Sequence, residues 1–145
     1  DTSQLTGLRS TYPDGPDALT ILPEVFSKEP LAPAVADGDT AWAQAVNWAI
    51  LATIAAEEFG ITSENIDTFA DTEDINIQRF LGLTVDGDAV LDPGLGLPTD
   101  YAYQVVKQVG NYGEIYERHL APLGLERGVN AQWTDGGLMY APPYR

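Results

Sequence analysis

The pattern of apolar and polar positions divides the chain into three zones. The first, residues 1–33, contains short apolar runs between proline- and glycine-rich breakers, which predicts extended pieces. The longest run begins with Leu19, Ile21 and Leu22. Because Pro23 lies inside this run and has no N–H for a strand ladder, we expect a strand that is interrupted there.

The second zone contains the clearest helix of the sequence. Asp39 or Thr40 can cap its N-terminus, and Gly60 lies where a helix would end. Apolar residues at helical spacing predict its core stripe. They are Trp42, Val46, Ala49, Ile50 and Thr53, widened by Ala45, Ala52 and Ala56. A helix that is apolar on most sides is buried by more than one neighbour, so a further element should cover it.

The third zone, residues 61–145, predicts short helices between glycine-rich loops. One helix ends at Phe69, and another runs from about Glu73 to Gly82. The tract 85–100 is a long loop whose Asp-Gly pair is typical of a tight hairpin.

Two more helices are predicted after this loop. Thr99 or Asp100 caps the first, in which Tyr101, Val105 and Val109 share a stripe. The second has the sequence GEIYERHL, and the proline at position 122 stops it.

The charge balance excludes whole classes of partner. The 145 residues include 7 Lys and Arg against 22 Asp and Glu, a net charge of −15. Nucleic acids and anionic membrane surfaces are bound through basic residues, so we expect neither as a partner. The absence of cysteine excludes thiolate catalysis, cysteine-ligated zinc and disulfides. The most apolar stretch, residues 41–56, is shorter than a membrane-spanning helix.

Candidate catalytic groups are few. The one histidine, His119, lies in the predicted last turn of a short helix, where a charged imidazole favours the helix dipole. Clusters of carboxylates in so acidic a chain are usually solvated faces. We therefore expect no enzyme, although a glycan hydrolase that works through Glu114 and a second carboxylate stays an alternative.

Calcium is the one metal ion whose binding the acidic composition suggests. Asp86, Asp88 and Asp92 supply carboxylates in one loop. In an EF-hand that starts at Asp86, however, Val90 and Leu91 would occupy positions that require an acidic residue and glycine. We assign no metal ligand and no cofactor, and leave a loose surface calcium site open.

Several tracts together resemble one protein family. The tract GNYGEIYERHL, at 110–120, resembles a helix of the polar amino-acid-binding proteins of bacterial ABC importers. The tracts at 21–39, 48–67 and 136–145 resemble more closely the general L-amino-acid-binding periplasmic proteins and their glutamate/glutamine/aspartate/asparagine-binding relatives. The resemblance runs through the whole chain in order.

The resemblance implies an α/β fold, namely the C-terminal part of a two-lobe periplasmic-binding-protein fold of type II, helix-rich in this portion. By analogy, residues 1–28 complete the second lobe and residues 29–32 form a hinge crossing. Residues 33–145 then belong to the first lobe, with an insertion at 61–98 and a C-terminal tail. The N-terminal portion of the family's fold would lie outside this sequence.

The resemblance also implies a ligand-binding residue. The family motif D-T-x-x-L matches DTSQL and places the aspartate that accepts hydrogen bonds from the ligand α-ammonium at Asp1. The hinge residues would be Glu29, Pro30, Leu31 and Ala32. The arginine that holds the ligand α-carboxylate matches none of the seven basic residues present.

The implied function is the substrate-binding component of a bacterial importer in the periplasm. It would capture a polar L-amino acid (glutamate, glutamine, aspartate, asparagine or a broader set) by lobe closure and deliver it to a membrane permease. We expect the chain alone to bind no amino acid. We also expect it either to expose an apolar patch around Trp42 and Ile50, where the missing N-terminal portion would pack, or to pair with another chain. The alternatives are an independent acidic calcium- or carbohydrate-binding domain, which needs no such patch, and a regulatory domain that reuses the fold.

Overall fold

The computed structural model describes residues 1–85, 90, 92 and 94–144. In this part of the chain there are five α-helices: α1 (Thr2–Ser10), α2 (Thr40–Glu58), α3 (Ile75–Leu81), α4 (Tyr101–Val109) and α5 (Tyr112–His119). Short 3₁₀ turns lie at Pro16–Ala18, Ile66–Phe69, Ala121–Leu123, Gly128–Asn130 and Trp133–Asp135. Extended pairing among the described residues is limited to an isolated bridge between Gln132 and Met139.

The prediction of extended pieces for residues 1–33 is wrong at its start. Helix α1 begins directly after Asp1, whose carboxylate accepts a hydrogen bond from the N–H of Ser3 at 2.9 Å. The aspartate cap satisfies one of the free N–H groups at the start of the helix, and residues 2–10 contain no proline that would interrupt it. The strand predicted around Pro23 is also absent, because no strand lies beside it in the described part of the chain. Leu22 is accordingly 67% exposed.

The long helix predicted in the second zone is confirmed. Helix α2 begins after Asp39, whose carboxylate accepts a hydrogen bond from the N–H of Trp42 at 3.0 Å. It ends before Gly60, which adopts the left-handed conformation at φ 67°. The N–H of Ile61 donates to the carbonyl oxygen of Ala56 at 2.8 Å and closes the helix end.

The buried side of α2 matches the predicted stripe in part. Of the predicted residues, Ala45, Ala52, Thr53 and Ala56 are buried, and Ile54 and Ala55 are buried as well. Trp42 lies on the predicted core stripe but is 57% exposed. This exposure agrees with the apolar patch expected around Trp42, whereas Ile50 is half-buried.

For helices α3 and α4, the predicted ends agree with the structure better than the predicted buried faces do. Asp74 caps α3, and Gly82 ends it at φ 71°. Helix α4 ends at Gly110 as expected, but its buried residues are Tyr101, Ala102 and Val106. Val109, predicted on the buried stripe, is 44% exposed.

Two further predictions concern the segment before α4. The helix predicted to end at Phe69 is a turn followed by a single 3₁₀ helix, Ile66–Phe69. The hairpin predicted around the Asp-Gly pair at 86–87 lies outside the described residues.

The core lies between helices α2, α3 and α4 and is closed by the C-terminal tail. Tyr144 meets the rings of Trp48 and Phe80 edge to face, with centroid distances of 5.6 and 5.1 Å. Its hydroxyl accepts a hydrogen bond from the hydroxyl of Tyr101 at 2.9 Å. Burial raises the pKa of Tyr144 above its ordinary value, so the phenol stays neutral.

No helix in the described ranges is both long and apolar enough to cross a membrane.

Candidate functional site

Asp1 holds its carboxylate in a fixed position at the start of α1. One oxygen, Oδ1, accepts hydrogen bonds from the N–H of Ser3 at 2.9 Å and from its hydroxyl at 2.8 Å. Among the described residues, nothing donates a hydrogen bond to the other oxygen, Oδ2. The N-terminus of a helix also stabilises a negative charge. The arrangement therefore presents a fixed carboxylate oxygen that can accept a hydrogen bond from a cationic group.

The structure brings Asp1 next to the first of the predicted hinge residues. The Oε2 atom of Glu29 lies 3.6 Å from the backbone nitrogen of Asp1. The following residues, Pro30, Leu31 and Ala32, are exposed and belong to neither helix nor strand. The N–H of Leu31 donates to the carbonyl oxygen of Glu29 at 2.9 Å, which makes a tight bend centred on Pro30.

Glu114 has the contacts of a structural carboxylate. It accepts hydrogen bonds from the hydroxyl of Ser63 at 2.6 Å and from the N–H groups of Ser63 and Asn111 at 3.0 and 2.8 Å. Burial raises the pKa of Glu114, but these hydrogen bonds outweigh burial and hold the pKa below its usual value. A glycosidase acid needs a raised pKa. Glu114 therefore does not suit the glycan hydrolase that the sequence left open.

Arg127 is fully engaged within the protein. Its guanidinium forms a two-pronged ion pair with Glu57, at 2.8 and 3.0 Å. The same group lies over the rings of Tyr112 and Tyr116, 5.4 and 5.2 Å from their centroids. The hydrogen bonds to Glu57 raise the pKa of Arg127 further. This arginine is therefore not placed to bind the α-carboxylate of a ligand.

The histidine and the predicted calcium loop form no further site in the described part of the chain. His119 lies in the last turn of α5, and its Nε2 accepts a hydrogen bond from Nε of Arg118 at 3.2 Å. Asp86 and Asp88 lie outside the described residues, and Asp92 accepts a hydrogen bond from the N–H of residue 94 at 2.8 Å. The described residues contain no group of three or more potential metal ligands.

The chain is similar to known proteins along its whole length. No protein-family model matches it. It is 49% identical over 148 residues to the general L-amino acid-binding periplasmic protein AapJ of Rhizobium johnstonii. It is 46% identical to the glutamate/glutamine/aspartate/asparagine-binding protein BztA of Rhodobacter capsulatus, and 44% identical to the putative amino-acid ABC transporter-binding protein YhdW of Escherichia coli. Each match takes in 100% of this chain but only 42% or 43% of the relative.

A solved structure gives the same result at the level of the fold. The chain superimposes on an ABC transporter/periplasmic binding protein from Brucella ovis, with glutathione bound, at a TM-score of 0.91 and 42% identity. The superposition covers 100% of this chain and 45% of that one. The chain is a homologue of the C-terminal portion of periplasmic amino-acid-binding proteins. It spans less than half the length of its relatives.

These findings confirm the family and the fold class expected of this binding-protein homologue. The helical content of the described residues agrees with a partial lobe of that fold. The lobe boundaries, the ligand contact of Asp1 and the hinge at 29–32 stay predictions.

One interacting pair of residues in this chain was not predicted from the sequence. Asn111 and Glu114 form a capping box, in which the side-chain oxygen Oδ1 of Asn111 accepts a hydrogen bond from the backbone N–H of Glu114 at 2.8 Å. The amide of Asn111 also donates to the carbonyl oxygen of Ile61 at 2.8 Å. The N-x-x-E spacing at the start of a predicted helix is the signal that identifies such a pair.

Proposed function

We propose that this chain is part of the substrate-binding component of a bacterial ABC importer for polar or general L-amino acids, working in the periplasm. The observation that carries the proposal is the 49% identity to AapJ along the whole chain. The task of such a component is to capture a ligand and pass it to a membrane permease. No chemical step is needed, so we propose no enzymatic activity and no nucleic-acid partner.

We propose that Asp1 accepts hydrogen bonds from the α-ammonium group of the ligand. Its Oδ1 is engaged with Ser3, while Oδ2 has no donor in the described part of the chain. A hydrogen bond between an ammonium group and a carboxylate is about twice as strong as one between neutral groups. The cap fixes the direction of the carboxylate before the ligand arrives, which lowers the cost of ordering it.

The choice of ligand follows from the group that Asp1 would recognise. Free L-amino acids carry an α-ammonium group, and so does the γ-glutamyl end of glutathione. The names of AapJ and BztA favour L-amino acids, with glutamate, glutamine, aspartate and asparagine as first candidates. A γ-glutamyl peptide is the second candidate, because the similar Brucella ovis structure contains glutathione.

We propose that residues 29–32 are one of the crossings at which the lobes hinge. Residues 1–28 would then belong to the second lobe, and residues 33–145 to the first. The bend at Pro30 supports this assignment, because hinge closure needs backbone changes at only a few residues. Helix α1 lies against the turn Ala121–Leu123, so the two parts are in contact in this structure.

The test is a chimera in which this chain replaces the matching portion of AapJ. Isothermal titration calorimetry would measure its binding of the four candidate amino acids and of glutathione. We expect Asp1→Asn to weaken binding about 10- to 100-fold, because it removes a charged hydrogen bond worth roughly 1.5–3 kcal/mol. Asparagine is a good helix cap, so α1 should persist in this variant.

The matched control is Asp135→Asn, which removes the same charge from an exposed turn. It should bind as tightly as the parent chimera. A folded chimera that binds none of the five compounds overturns the proposed function. Unchanged affinity in Asp1→Asn overturns only the role of Asp1, and binding of glutathione alone selects the second candidate.

A further inference from the structure

The side chain of Glu29 joins the start of α1 to the predicted hinge at residues 29–32. Its Oε2 atom lies 3.6 Å from the backbone nitrogen of Asp1, which is the N-cap residue of α1. This distance is that of an electrostatic contact rather than of a hydrogen bond. Because Asp1 and Glu29 lie far apart in the sequence, the contact connects two segments that no local helix joins.

The backbone around Glu29 limits where its side chain can reach. The N–H of Leu31 donates to the carbonyl oxygen of Glu29 at 2.9 Å and closes the bend at Pro30. The proline ring fixes its own φ near about −65°, which stiffens this bend. The side chain of Glu29 is 48% exposed and extends from the bend to Asp1. The conformation of the hinge segment therefore determines where the Glu29 carboxylate meets α1.

A carboxylate at this place completes the cap of α1. In a capping box, the N-cap side chain accepts from an N–H of the first turn, and a glutamate or glutamine at N3 accepts from the N-cap N–H. Asp1 supplies the first half through the N–H of Ser3, whereas Gln4, at N3, is exposed. Glu29 lies where the second acceptor is needed, although it belongs to the hinge segment. Its charge also suits the positive end of the helix dipole.

We propose that Glu29 is a positioning residue for Asp1, which holds the ligand-binding carboxylate in place relative to the hinge. The inference rests on the proposed function, because it gives Glu29 a part in capturing the α-ammonium group of the ligand. Glu29 fixes the N-terminal end of α1, and Ser3 then fixes the direction of the Asp1 carboxylate. A carboxylate that is ordered before the ligand arrives loses less conformational freedom on binding.

A double-mutant cycle in the AapJ chimera tests this role. In the chimera the nitrogen of Asp1 belongs to a peptide group, whose N–H can donate to Glu29. Calorimetry with the four candidate amino acids and glutathione should show binding about fivefold weaker in Glu29→Ala, the change that one hydrogen bond of ordinary strength causes. In the Asp1→Asn chimera the same replacement should change affinity by less than about twofold, because residues that act as a unit are not additive.

Two further variants separate positioning from simple charge. Glutamine keeps an oxygen that accepts from the N–H of Asp1, so Glu29→Gln should retain most of the affinity. A loss in Glu29→Gln as large as in Glu29→Ala would mean that only the charge matters, and would overturn the proposal. Glu24→Ala removes an exposed carboxylate from the same segment and should leave affinity unchanged. An equal loss in Glu24→Ala would also overturn the proposal.

Hydrogen–deuterium exchange of residues 1–10 measures the positioning of α1 without a ligand. In the ligand-free chimera, we expect the amides of α1 to exchange several-fold faster in Glu29→Ala than in the parent. Faster exchange in a chimera that binds none of the five compounds would support the contact and reject the proposed function. In a chimera that binds, unchanged exchange or additive effects of Glu29→Ala and Asp1→Asn would overturn the role of Glu29 alone.

Discussion

At the scale of single residues, the carboxylates of this acidic chain have different structural roles because their hydrogen-bond partners differ. The carboxylates of Asp39 and Asp74 each cap the N-terminus of one helix. Glu114 joins the start of α5 to Ser63 in the loop after α2. Asp1 caps α1 with one oxygen, and nothing in the described part of the chain donates to the other. Net charge does not distinguish these roles, whereas hydrogen-bond partners do.

Glu114 gives a prediction that depends on pH. Glu114→Gln should lower the free energy of unfolding by about 1 kcal/mol at neutral pH, because an amide cannot accept all the hydrogen bonds that the carboxylate accepts. The pKa of Glu114 lies below its usual value of 4.5 in the folded chain. Its contribution is therefore complete above the unfolded pKa, and it is lost as the pH falls through the folded pKa. Urea unfolding from about pH 7 to pH 3 measures the difference.

The control for this experiment is Glu117→Gln, an exposed position on the same helix. It should change stability by less than about 0.5 kcal/mol at any of these pH values. A loss in Glu114→Gln that is as large in acid as at neutral pH would assign the effect to packing and contradict a role of the charge.

At the scale of helices, the ends were predictable and the buried faces only in part. Asp39 begins its helix, and Gly60 and Gly82 end theirs, as the sequence indicated, because capping depends on groups a few residues apart. Val109 was expected on the buried side of α4 and is exposed, whereas Trp42, on the predicted stripe of α2, is exposed as the expected apolar patch requires. Which side of a helix is buried depends on the elements that pack against it, and apolar spacing does not specify them.

Two glycines at helix ends should respond differently to alanine. Gly82 and Gly60 have nearly the same conformation, at φ 71° and 67°. A Cβ at position 82 would lie 2.5 Å from the carbonyl oxygen of Thr99, whereas a Cβ at position 60 would meet nothing within 4 Å. We expect Gly60→Ala to cost about 1 kcal/mol, and Gly82→Ala to cost a further 1–3 kcal/mol or so.

Urea unfolding of the two alanine variants compares these costs, since both replacements add one methyl group at a left-handed position. Equal losses at the two positions would mean that the contact with Thr99 relaxes without cost, and would contradict the prediction.

At the scale of the whole molecule, the sequence indicated the family and one candidate for the site. The motif DTSQL led, by resemblance, to the proposal that Asp1 binds the ligand, and the structure adds the cap that orients its carboxylate. The strand that the sequence predicted around Pro23 does not form, because a strand needs a partner and the described residues offer none. The sequence could not indicate that Arg127 is paired with Glu57, since these residues are distant along the chain.

The isolated chain should bind no amino acid. It offers Asp1 for an α-ammonium group, but Arg127 is held by Glu57, and none of the basic residues matches the family's α-carboxylate ligand. Calorimetry with the four candidate amino acids should therefore give no binding heat with this chain and measurable heat with the AapJ chimera. Tight binding by the isolated chain would contradict this expectation and assign a complete site to these residues.

The position of Tyr144 constrains the order in which the protein is built. Its ring packs between Trp48 and Phe80, and its hydroxyl bonds to that of Tyr101, 43 residues earlier in the chain. The ribosome synthesises these partners first. The side chains of Trp48, Phe80 and Tyr101 therefore stay uncovered on the side that Tyr144 occupies until the tail has emerged. Native packing of this core is thus completed after synthesis of the segment, and a nascent chain that stalls before Tyr144 should remain sensitive to proteases.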